Sequence, residues 1–134
     1  MASSTTPAAW EQPASWEDAE SWDEAIFSDE NNQDFLDELV DLDDEDVVES
    51  VRDACLLAAG NNANNVEISN GYAAATIAAI WSGAPFFAGE IVSAYPFVRE
   101  LVGSSDEQLT EAAAELLGEL DVDFDLDPFL EALS

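Results

Sequence analysis

The ionisable side chains of this sequence are overwhelmingly of one kind: 31 Asp and Glu stand against two Lys plus Arg, namely Arg52 and Arg99, and there is no His. Carboxylates can do three kinds of chemistry. A pair in unlike environments acts as general acid and base, a convergent cluster ligates a hard cation, and an ordered array acts as a polyanion. Acid–base catalysis finds nothing to single out one pair, because no histidine, Gly-rich phosphate loop or nucleophile elbow accompanies the carboxylates. The sequence reads as that of a binding protein and not an enzyme, and no catalytic residue is assigned.

The acidic run DLDDEDVVES invites a test as a calcium loop. Started at Asp41, it sets acids at loop positions one, three and five, but puts Asp46 where glycine is required and Arg52 where the bidentate glutamate belongs. A start at Asp121 fails in the same way, with Leu126 and Ala132 at those two positions. No metal and no cofactor is expected.

Helical spacing organises the carboxylates into rows. Glu107, Glu111, Glu115 and Glu119 recur every fourth residue, about 6 Å apart along a helix that rises ~1.5 Å per residue. Asp34, Glu38 and Asp41 line one side of an earlier helix, with Asp37 beside them, and Glu45, Glu49 and Asp53 form the outer row of the next, which Asp43 and Asp44 introduce. Asp121, Asp123 and Asp125 alternate with apolar residues near the C-terminus. DNA phosphates advance about 3.4 Å per nucleotide along the duplex axis and lie farther apart along the strand itself, which brings them toward the spacing of the rows. At two charges per base pair, the net charge of −29 equals that of roughly fourteen base pairs.

Exposed helix faces ordinarily alternate Glu with Lys, because opposite charges at i, i+4 stabilise by about 0.2–0.5 kcal/mol and like charges cost as much. Here there is no lysine, and three Glu–Glu steps on one helix cost about 1 kcal/mol in all. Adaptation to high salt is an alternative source of acidity, but it acts over the whole surface. In this chain 18 of the 31 acids fall between residues 11 and 53, and residues 54–89 contain only Glu67.

Such a charge repels nucleic acid and anionic membranes and draws in basic grooves. The expected partner is a basic protein, foremost a DNA-binding protein or nuclease, with no direct contact to nucleic acid or membrane. A homodimer would have to use the charge-poor region of residues 72–98, with Phe86, Phe87 and Tyr95 as candidates. A single cysteine, Cys55, excludes an intrachain disulfide and suits a reducing compartment. The N-terminus lacks a basic, then apolar, secretion signal, and no apolar run approaches the roughly eighteen residues of a membrane span, so a cytoplasmic location is expected.

Around these residues the pattern predicts an all-α fold, a compact bundle of about four to five helices, with residues 1–21 a disordered Trp-containing acidic arm and residues 22–134 a single helical domain. In the arm, Trp10 and Trp16 recur with Trp22 every six residues, a period suited to neither helix nor strand, so the first two are either anchors for a partner or the trace of a local duplication that drifted. Trp22 adjoins Ile26 and Phe27 and belongs with the domain. Helices are predicted over residues 29–40, capped by Ser28, with Phe35, Leu36, Leu39 and Val40 inward, and over residues 44–59, with Val47, Val51, Ala54, Cys55 and Ala58 inward and Gly60 as the stop. An alanine-rich central helix is predicted over residues 68–81, then a loop plugged by Phe86 and Phe87, and a short helix over residues 96–102. The last long helix is predicted over residues 106–120, opened by a Ser105/Gln108 capping box. The tail alternates Asp with Val122, Phe124 and Leu126, as an extended docked segment would, and Pro128 opens a final helical turn.

The stretch WDEAIFSDENNQDFLDEL, residues 22–39, resembles the opening of a bacterial family known as a domain of unknown function, through Trp22, Phe27, Asp29, Asp34, Phe35, Leu36 and Leu39. The resemblance extends to the alanine-rich helices of residues 54–82, covers about residues 22–133 and implies a fold but no activity. In charge and size the chain is also similar to DNA-mimic proteins of phages and bacteria, which occupy the DNA-binding surfaces of other proteins. Together these features point to a DNA mimic that inhibits or regulates a basic protein. The alternative is an immunity-type or adaptor protein that binds one partner by shape and through Trp10 and Trp16, or an acidic, salt-adapted protein of another role.

Overall fold

A computed structural model describes residues 21–60, 63–85, 89–119, 124 and 126–133. Its described residues are all-α: α1 (Trp22–Ser28), α2 (Glu30–Val40), α3 (Asp44–Ala59), α4 (Asn65–Trp81), α5 (Gly89–Ala94), α6 (Phe97–Glu100), α7 (Glu107–Gly118) and α8 (Asp127–Leu133). Eight helical segments replace the predicted four to five. The four long ones, α2, α3, α4 and α7, were anticipated, and the excess consists of short segments.

The bundle is organised around α4. From Ala73 to Trp81 every side chain is buried, which a helix tolerates only when apolar all round. α3 and α7 flank it, and α1, α2, α6 and α8 cover what they leave. Small residues bring α3 close: a Cβ at Gly71 would lie 2.1 Å from Ala58 Cβ and 3.2 Å from the Ala54 carbonyl oxygen. Trp22 docks α1 on the centre, its indole N–H donating to Thr76 Oγ1 at 2.7 Å, and Phe124 of the tail packs tilted against that ring at 6.3 Å. α8 buries Phe129 and Leu133 on the same core, so the described part of the tail is docked.

The helix ends follow from local chemistry. Asn64 and Glu67 form a reciprocal capping box, which starts α4 at Asn65 and not at residue 68. Its C-terminus closes on Gly83, at φ 114°, with Gly83 N–H donating to the Ile80 carbonyl and Ala84 N–H to the Ala79 carbonyl, a Schellman arrangement. Gly103, at φ 94°, turns the chain after α6 and donates its N–H to the Trp81 carbonyl at 2.8 Å.

Several expectations need correction. Ser28 does not cap α2; it ends α1, and Asp29 is the N-cap, accepting from Asn31 N–H. Val40 faces solvent, because α2 meets the core along Leu36 and Leu39 and Val40 lies past the edge of that stripe. The Ser105/Gln108 capping box is absent: Asp106 caps α7 by accepting from Leu109 N–H, since a carboxylate one residue later reaches the same donors, and Ser105 instead shares a hydrogen bond with Ser82. Gly89–Ala94, expected as part of a loop, form the short helix α5. The arm with Trp10 and Trp16 and the plug residues Phe86 and Phe87 lie outside the described residues, as do Asp121, Val122, Asp123 and Asp125.

Candidate polyanionic surface

Three helices carry the carboxylate rows outward. On α2, Asp34, Asp37 and Glu38 are exposed, and Asp41 is the C-cap residue, also exposed. On α3, Asp43 is the N-cap, Asp44 and Glu45 stand in the first turn, and Glu49 and Asp53 continue outward, all exposed, while Val47, Val51 and Cys55 face the core. On α7, Glu107, Glu111, Glu115 and the C-cap residue Glu119 are exposed opposite buried Leu109, Ala112, Ala113, Leu116 and Leu117. The described members of the expected site thus all reach solvent from helices whose other faces are packed. The row from Glu107 to Glu119 extends about 18 Å at ~1.5 Å per residue.

The local electrostatics differ along the rows. First-turn acids such as Asp44 and Glu45 sit where the helix dipole favours them. Asp41 and Glu119 occupy C-caps, where it does not, and no basic residue stands in the last turn of α2, α3 or α7. α3 and α7 are tied by Arg52 Nη2, 2.7 Å from Asp106 Oδ2. The Asp106 carboxyl is held below the usual carboxylate range, chiefly by the Leu109 N–H it accepts and further by Arg52. Asp37 accepts the Tyr95 hydroxyl at 2.8 Å. Burial, this hydrogen bond and the nearby charges of Asp37 and Asp34 push the Tyr95 phenol up to about 12. The Tyr72 phenol is raised too, by burial and by the charge of Glu119.

Not every carboxylate belongs to the surface. Asp23 is fully buried, accepting from Ser21 Oγ at 2.6 Å and from Glu24 N–H at 3.0 Å, and Asp29 is buried as the α2 cap. Asn32, also buried, donates to the Ile26 carbonyl and to Ser69 Oγ. Sequence reading missed this set. The Ser21-Trp22-Asp23 run, with two side chains able to bond their own backbone at a helix start, was the available signal.

Among the described residues no three His, Cys, Asp or Glu side chains converge as a metal site. No helix there is long and apolar enough to cross a membrane. Cys55 is buried on α3 and its thiol is pushed up to about 12 by burial, so it is no nucleophile near neutrality. No protein-family model, curated protein or solved structure matches the chain.

Proposed function

We propose that this chain is a DNA-mimicking binding protein, without catalytic activity, that presents its carboxylate rows to the basic DNA-binding surface of another protein and blocks it. The observation that carries the reading is the exposure of Glu107, Glu111, Glu115 and Glu119 at one-turn spacing on a helix fixed by five buried residues. Charge alone would make a flexible polyanion. Rows anchored on packed helices keep their spacing, so the entropy of ordering them is lost on folding and not again on binding. The like-charge steps and the acidic C-caps both oppose stability, which fits an array retained for binding.

Competition tests the reading. The chain is titrated into preformed complexes of labelled duplex DNA with nucleases, repressors and nucleoid proteins at physiological salt, and DNA release is followed by fluorescence anisotropy. Release that weakens steeply with added salt is expected. Failure to release DNA from any of them removes the proposal.

A further inference from the structure

We draw no further inference here: the strongest candidate, the exposed apolar side chains Leu56, Leu57 and Val66 where α3 ends and α4 begins, carries none, because nothing in the structure shows what covers them.

Discussion

A single methyl group added at position 71 tests how the rows are held in place. Gly71→Ala puts a Cβ 2.1 Å from Ala58 Cβ and 3.2 Å from the Ala54 carbonyl oxygen. Carbon atoms pack at about 3.5–4.0 Å, so α3 and α4 must separate locally by more than ~1 Å. Overpacking on this scale costs up to about 3 kcal/mol, and alanine's better helix propensity returns about 1, which leaves a net loss near 2 kcal/mol. For a domain of this size that is a fall in melting temperature of about 8 °C. Ala58→Gly alone costs about 1 kcal/mol in propensity. The pair Ala58→Gly/Gly71→Ala exchanges the methyl group across the interface, removes the closest clash and restores most of the stability, so the double-mutant cycle returns a favourable coupling of about 2 kcal/mol. Thermal unfolding followed by circular dichroism measures all four proteins. A Gly71→Ala variant as stable as the parent, or strictly additive losses in the double mutant, would show that α3 does not pack on α4 as described.

Three further outcomes follow from the same structure. Glu111→Gln, Glu115→Gln and Glu119→Gln combined should raise stability by up to about 1 kcal/mol by relieving like-charge steps, yet weaken binding to any basic partner; loss of both together in thermal and binding assays would argue against the rows. Cys55, buried with its thiol near 12, should resist alkylation at pH 8 in the native protein and react fully in guanidinium; its contribution to stability holds below the unfolded value of 9.0 and is lost as pH rises toward about 12. Asp106→Ala should cost about 1 kcal/mol by removing the α7 cap and the Arg52 partner. Because the folded carboxyl titrates below its ordinary value of 3.8, that stabilisation is present above the ordinary value and fades as pH falls through the folded one, so parent and variant should converge in acid unfolding curves.

How much of this was legible follows from the range of each signal. α3 matches its predicted span because acidic first turn, apolar stripe and terminal Gly60 all lie within one stretch, and the outward rows follow from the same 3.6-residue geometry. α1 and α5, of seven and six residues, are too short to display a period, and tertiary packing stabilises them. Val40 was misplaced because an amphipathic stripe has soft edges. Its width is set by the neighbour, which a single helix does not reveal. The burial of Asp23 was hidden for the opposite reason: a carboxylate among so many others carries no mark of being the one turned inward.

The central claim is that order, and not charge alone, makes the array a mimic. The direct measurement takes one basic DNA-binding protein released by the chain and compares two competitors at equal total charge, the folded protein and an unstructured poly-glutamate, for displacement of labelled duplex DNA. The account predicts displacement by the folded protein at a concentration at least about tenfold lower, the equivalent of 1.4 kcal/mol of preorganisation. Equal potency of the two polyanions would contradict it.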